Sequence, residues 1–375
     1  MGAKPEVDVL IIGAGVIGLA VARALALAGR EVVVVDAAHS VGTGVSSRSS
    51  EVIHAGLYYP PGSLKARFCV AGRQALYAYC AARSVPYARC GKLIVAGAAQ
   101  QPQLVAIRER ARANGVDLAL LSRDEARLLE PEVDCDAALH SPHTGIVDSH
   151  GLMLALQGDA EALGARFAFG AQATGGRAIR GGLEIAFAGE GEFRLAASAV
   201  VLCAGLSSPR LARLIESVRP DSIPQASFAK GSYFSLARRA PFKRLVYPVP
   251  EPGGLGVHLT LDMAGRARFG PDVEWLEVAD EREIDYSVDP LRAERFYGAI
   301  RRYWPELRDG DLVPDYSGVR PKIVKAGEPD ADFAIHDERD HGVRGLVALY
   351  GIESPGLTSA FAIGDHVTGL VMRQR

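Results

Sequence analysis

What the chain lacks narrows its possibilities first. Its five cysteines, Cys69, Cys80, Cys90, Cys135 and Cys203, form an odd set with no C-x-x-C spacing. That argues against a disulfide framework or a zinc site and fits a reducing compartment, with the cytoplasm expected. Charge of one sign is missing as well, since 42 basic side chains stand against 44 acidic ones. Lys and Arg are scattered singly, so no nucleic-acid surface is expected. No uninterrupted apolar run is long enough to span a bilayer. The stretch from Val7 to Ala28 comes nearest, but Asp8, Arg23 and its glycines break it. It reads as neither a signal peptide nor a membrane helix, and any membrane contact would be peripheral. Repeats, low-complexity tracts and long charged tails are absent. His140, His143 and His150 with Asp148 do not make a metal site, because Pro142 and Gly145 break any helix that would align the first two histidines.

What is present suits a large globular enzyme. At 375 residues and 48% apolar content the chain can bury a substantial core, and its length favours two domains. Val9 to Ile12 is a continuous apolar run ending at Gly13, a buried parallel strand by pattern. Val16 to Ala28, rich in Ala, Leu and Val, reads as a helix stopped by Gly29. Val32 to Val35 then leads into Asp36. Strand, glycine turn, helix and strand make one right-handed βαβ unit. Further on, helices are expected over 64–82, 104–114, 152–163, 291–303 and 357–372, and strands over 92–96, 167–173, 199–203 and 346–350. The stretch 225–273 reads as short antiparallel strands with Gly and Pro turns.

Gly13, Gly15 and Gly18 match G-x-G-x-x-G at the position the mechanism needs. The first turns the chain, the second admits a pyrophosphate, and the third lets helix and strand pack closely. The helix start, Ala14, Val16 and Ile17 included, then faces phosphate. Asp36, followed by Ala37, ends the second strand where a carboxylate accepts hydrogen bonds from a ribose. FAD is favoured over NAD because the unit opens the chain and two distant segments continue the same site. One is the strand ending at Cys203, Ala204 and Gly205. The other is the loop Gly351, Ile352, Glu353, Ser354, Pro355 and Gly356, opening a helix at Leu357, Thr358 and Ser359. Such a helix end suits negative charge on a reduced flavin.

Several stretches carry a family resemblance: Val52 to Tyr59 running on through Pro61 to Ala66, Cys90 to Ala96, Thr144 to Asp148, Tyr247 to Pro250, Leu255 to Thr260, Gly318 to Arg320, and Glu353 to Ala360. Together they resemble the D-amino-acid-oxidase-like (DAO) flavoproteins and, more narrowly, the L-2-hydroxyglutarate dehydrogenase/oxidase family. The resemblance implies an α/β fold, α+β overall: a Rossmann-like FAD-binding domain (1–85, 145–218, 325–375) interrupted by a β-rich antiparallel substrate domain (86–144, 219–324). It implies oxidation of a 2-hydroxy acid to a 2-oxo acid, with hydride passing to the flavin. It also implies flavin contacts from Ser46, Ser47, Arg48, Ser49, Ser50, Ala55, Gly56 and Ala173, besides the segments above. The Ser47 to Glu51 stretch looks closer to glycerol-3-phosphate dehydrogenases, and Arg320-Pro321 resembles a glycine oxidase motif. An amino-acid or amine oxidase and a glycerol-3-phosphate dehydrogenase-like enzyme therefore stand as alternatives, with a flavin-binding structural or tRNA-modification partner devoid of oxidase activity as a third reading.

Hydroxy-acid oxidation needs a proton acceptor and a cation for the carboxylate. His54, whose imidazole titrates near working pH, is the leading base; packing against the cofactor is its plainer role. His258 follows, unless it sits on the far face of its strand. Arg320 offers two parallel donors to a carboxylate. Lys322 would share its face if the segment is a strand, with plain exposure the blander reading. Tyr59 and Tyr233 are candidate pocket hydroxyls or core aromatics. The substrate is expected to be a small carboxylate. Oxygen, a quinone or another carrier is left open as electron acceptor, and so is a homodimer.

Overall fold

A computed structural model describes residues 5–250 and 256–373. Leu255, within one of the resembling stretches, lies outside the described residues, as do the extreme ends of the expected first domain. The chain divides into two compact units, Met1–Ser47 with Ser149–Phe228 and Arg320–Arg375, and Arg48–Asp148 with Ala229–Val319.

The first unit is built on an eight-stranded sheet. Its parallel centre runs Arg166–Phe169, Val32–Asp36, Val7–Ile12, the end of Glu192–Leu202, then Leu346–Tyr350. Val9 to Ile11 and Leu346 to Ala348 are fully buried, as strands covered on both faces must be. The helix Val16–Leu27 packs against Gly356–Arg373 and Ser149–Ala162. It stops at Ala28, with Gly29 at φ +77°, the left-handed turn expected of that glycine.

One expected strand, 167–173, is two. Gly170 at φ +72° breaks the chain, so Arg166–Phe169 joins the parallel centre. Gln172–Ile179 instead starts an antiparallel set with Gly182–Ala188 and the first half of Glu192–Leu202. Its apolar residues are broken up by Gly175, Gly176 and Gly182 and by charged Arg177, Glu184, Glu192 and Arg194, which hid its strand pattern.

The second unit carries a nine-stranded sheet and a three-stranded one. Most pairs whose register is defined are antiparallel, but Leu245–Pro248 runs parallel to Lys92–Ala96, a departure from the purely antiparallel expectation. Phe234, Phe269, Phe296 and Trp304 fill one core of this unit. Ile94, Ala96, Leu57, Leu139 and Val249 fill a second. Residues 48–85, expected in the cofactor domain, belong to this unit. Val52–Ile53 pairs with Gly145–Val147, and the Tyr77 hydroxyl on helix Leu64–Arg83 donates to the His143 carbonyl, 3.1 Å away. Strand Leu312–Lys322 carries the chain from the second unit back to the first.

Candidate active site

In the first unit the glycine turn is made by contacts that leave no room for side chains. Gly13 sits at φ +110°, and a Cβ there would lie 2.4 Å from the Cys203 carbonyl oxygen; one on Gly18 would lie 1.9 Å from the Gly13 oxygen. The Gly13 amide donates to Val35 (2.8 Å) and that of Cys203 to Ile12 (2.8 Å), locking the turn between two strand ends. Asp36 accepts from the amides of Ala14 (2.6 Å) and Ala38 (2.8 Å). The carboxylate expected to hold a ribose thus also braces the turn, and each of its oxygens keeps a further lone pair. Ala37 is exposed beside it. Ser46 Oγ accepts from the Val16 amide at 3.0 Å. Ala173, Cys203 and Gly351 are buried, and burial pushes the Cys203 thiol up to about 12.

The second helix start lies at Gly356, one residue earlier than expected. Its loop is tied by Lys322, whose ammonium donates to Glu353 (3.1 Å) and to Asp330 (2.5 Å). Lys322 is therefore neither exposed nor uncommitted: its charge neutralises the carboxylate next to the helix start. Neither this helix nor Val16–Leu27 has an acidic residue in its first turn. Two positive helix ends without acid in that turn, and a turn where only glycine fits, suit a dinucleotide bearing a pyrophosphate. Ile17 and Gly18 lie in the first turn of the former helix, and Leu357, Thr358 and Ser359 in that of the latter. Ile352, Ser354 and Pro355 belong to the loop between. Ala204 and Gly205 follow the strand end, Gly205 at φ +57°. Arg320 is partly buried on strand Leu312–Lys322.

In the second unit the loop after Val52–Ile53 is fixed through its carbonyls. That of His54 accepts from the Cys69 thiol (3.5 Å) and that of Ala55 from Arg73 (3.2 Å). Asn114 donates to the carbonyls of Gly56 (3.1 Å) and Tyr59 (3.0 Å). Gly56, at φ +95°, packs against Val70. With its backbone so anchored, the loop directs His54 and Tyr58 while leaving part of each accessible. Desolvation, reinforced by the positive charge of Lys92, lowers the His54 imidazole to about 3. The expectation that it titrates near working pH is thereby corrected: His54 is neutral, the form able to accept a proton, but weakly basic.

Lys92 itself is 1% exposed. Its ammonium lies 4.9 Å from the centre of the Tyr58 ring and 4.3 Å from that of Tyr247, and burial lowers it to about 7. Tyr247 stacks flat on His258, ring centres 3.6 Å apart; His258 lies just before strand Leu259–Leu261 rather than within it, and the stacking sets it beside the Lys92 cluster. Tyr233 stacks on Tyr316 at 4.6 Å, and the Tyr316 hydroxyl donates to the Ser49 carbonyl at 2.8 Å. Arg48 lies over Tyr286 and donates to the Ser317 carbonyl, while Ser50 is partly buried beside them in sequence.

Of the residues expected to act, His54, His258 and Tyr233 thus fall in one aromatic and basic cluster. Tyr59 adjoins it in sequence. Lys92, Tyr58, Tyr247 and Tyr316 were missed. The signal for Lys92 was a charge opening the apolar strand Lys92–Ala96, on the alternating face where Ile94 and Ala96 are core.

The chain matches the DAO family, FAD dependent oxidoreductase, over residues 8–370. It is 44% identical to the mitochondrial L-2-hydroxyglutarate dehydrogenase of Arabidopsis thaliana, covering 99% of this chain and 84% of that one. It is 29% identical to the L-2-hydroxyglutarate dehydrogenase of Escherichia coli K12, covering 97% and 93%. Among solved structures it resembles FAD-bound L-alpha-glycerophosphate oxidase from Mycoplasma pneumoniae (TM-score 0.85, 23% identity, 97% and 94% covered). It also resembles glycine oxidase from Geobacillus kaustophilus (TM-score 0.81, 20% identity, 98% and 95% covered). At those identities the two structures speak for the fold. Among the described residues no helix is long and apolar enough to cross a membrane.

Proposed function

The chain belongs to the DAO family of FAD dependent oxidoreductases, and from that premise we propose that it oxidises L-2-hydroxyglutarate, or a closely related 2-hydroxy acid, to the 2-oxo acid. The observation that carries the substrate class is the 44% identity to the plant L-2-hydroxyglutarate dehydrogenase over nearly the whole chain, and the second unit offers a site chemistry that agrees with it. FAD, when bound by the first unit, supplies the acceptor for the two electrons removed from C2.

His54 takes the hydroxyl proton on an imidazole nitrogen. A base lowered to about 3 suffices, because the hydroxyl acidifies steeply as hydride departs from the same carbon, and a neutral imidazole stands ready at any ordinary pH. The anchored carbonyls of His54 and Ala55 hold it at a fixed height. His258, clamped on Tyr247, orients the substrate hydroxyl. Arg320 binds a carboxylate through paired donors.

Anaerobic bleaching of the bound flavin, screened across 2-hydroxy acids, amino acids and glycerol 3-phosphate, tests the assignment. Reduction by L-2-hydroxyglutarate is expected; reduction by amino acids alone would overturn it.

A further inference from the structure

The second unit buries an ammonium beside two aromatic rings. Lys92 lies on a sheet face whose other members, Ile94 and Ala96, are core residues. Its two aromatic neighbours attract a cation, but a pair of ring faces offsets only part of what desolvating an ammonium costs. Among the described residues, no carboxylate and no hydrogen-bond acceptor is recorded at its Nζ.

Five acids of this unit with partly or fully buried side chains are engaged elsewhere. Asp315 and Glu51 lie against Arg268, at 3.1 and 3.9 Å. Glu130 pairs with Arg244 at 3.2 Å, Asp262 with Arg266 at 2.7 Å, and Asp272 with Arg292. Cys69, whose charge would favour the ammonium, is held as a neutral thiol by its own burial, pushed up to about 12. A buried ammonium so isolated is half of an ion pair. The counter-ion has to arrive from solution, be small enough to settle beside the Tyr58 and Tyr247 rings, and sit near His54, whose imidazole feels the Lys92 charge.

We propose that Lys92 binds the distal carboxylate of the substrate and so selects dicarboxylic over monocarboxylic 2-hydroxy acids. This rests on the functional reading above and adds to it the residue that reads the second charge. Tyr58 and Tyr247 hold the ammonium in place from two sides, and a carboxylate entering beside them completes the pair. The α-carboxylate is not the partner intended. It is common to every 2-hydroxy acid, so a cation bound to it could not discriminate among them.

The test compares wild type with Lys92→Met, which keeps volume and removes charge, and Lys92→Arg, which keeps charge. FAD content and melting temperature of each holoenzyme are recorded first. With L-2-hydroxyglutarate, Lys92→Met is expected to raise KM roughly 10- to 100-fold, the worth of one charge-assisted contact. With L-2-hydroxybutyrate, KM should change far less than with L-2-hydroxyglutarate, and Lys92→Arg should restore part of the preference. Binding of 2-oxoglutarate, followed by thermal shift, should weaken in Lys92→Met in the same proportion, while 2-oxobutyrate binding stays level. Equal losses on both substrates, or an unchanged preference, would overturn the proposal. If wild-type flavin is not bleached by L-2-hydroxyglutarate, the functional reading fails and takes this inference with it. A bleached wild type with an unshifted Lys92→Met sinks this inference alone.

Discussion

The two units build their candidate sites by different means. The first does so with backbone: a glycine turn pinned between strand ends, and helix starts free of acid in their first turn. The second does so with side chains, His54, Lys92, Tyr58, Tyr247 and His258, gathered from segments scattered along the chain. Backbone sites demand fixed spacings and tolerate almost no change at the turn. Side-chain sites leave no spacing behind and tolerate substitution while losing chemistry.

The sharpest way to break that contrast is at Gly18. A Cβ there meets the Gly13 oxygen at 1.9 Å, so Gly18→Ala should purify as colourless protein, read by the flavin absorbance ratio. Full FAD occupancy would show that the turn has slack it is not expected to have. Next in size, His54→Ala should keep its flavin and lose roughly 10²- to 10⁴-fold in the rate of anaerobic reduction. An unaltered rate would move the base elsewhere, with His258 the first place to look.

Lys322→Ala probes a side-chain device on the backbone side. It leaves Glu353 without its ammonium beside a helix start and should cost about 3 kcal/mol. Denaturant titration measures this, and the variant should also hold FAD more weakly. Acidity gives a smaller and graded effect. His54 is lowered to about 3, so below its ordinary 6.5 the unfolded chain binds the extra proton, and stability falls as pH drops from about 6.5 toward 3. Lys92 is lowered to about 7 from 10.5. Its buried charge therefore weighs against folding at and below neutrality, and that burden lifts as pH rises from about 7 to 10.5. Melting curves across these windows should show both slopes, and Lys92→Met should flatten the upper one. Smallest of all, Gly298→Ala in helix Ala293–Arg301 meets nothing within 4 Å. It should gain about 0.5 to 1 kcal/mol with no change of flavin content, the opposite outcome to Gly18 for the same added methyl.

The same contrast explains what could be read before the structure. Gly13, Gly15, Gly18 and Asp36 were legible because a pyrophosphate imposes their positions, and strands such as Lys92–Ala96 and Leu346–Tyr350 because burial on both faces leaves continuous apolar runs. The pairing of Gln172–Ile179 with Gly182–Ala188 was not, since glycines and charged residues interrupt the two strands and leave neither a continuous apolar run. Lys92 was passed over because one charge in an apolar strand looks like an edge. Only the structure shows that the charge is buried. The His54 acidity was misjudged for a related reason, as desolvation and a neighbouring cation are properties of packing, not of residue type. Residues 48–85 were assigned to the wrong unit because strand Val52–Ile53 is two residues long and its partner lies near residue 145.

The order of strands in the first sheet also sets a timetable. Val7–Ile12 is made before its neighbour Glu192–Leu202, which follows almost two hundred residues later, and Leu346–Tyr350 comes later still. Until each partner is made, the strand beside it presents a bare apolar edge, the state in which aggregation competes with folding. Helix Gly356–Arg373, which packs on Val16–Leu27, is made after all of these strands, so that cover becomes available only once they exist.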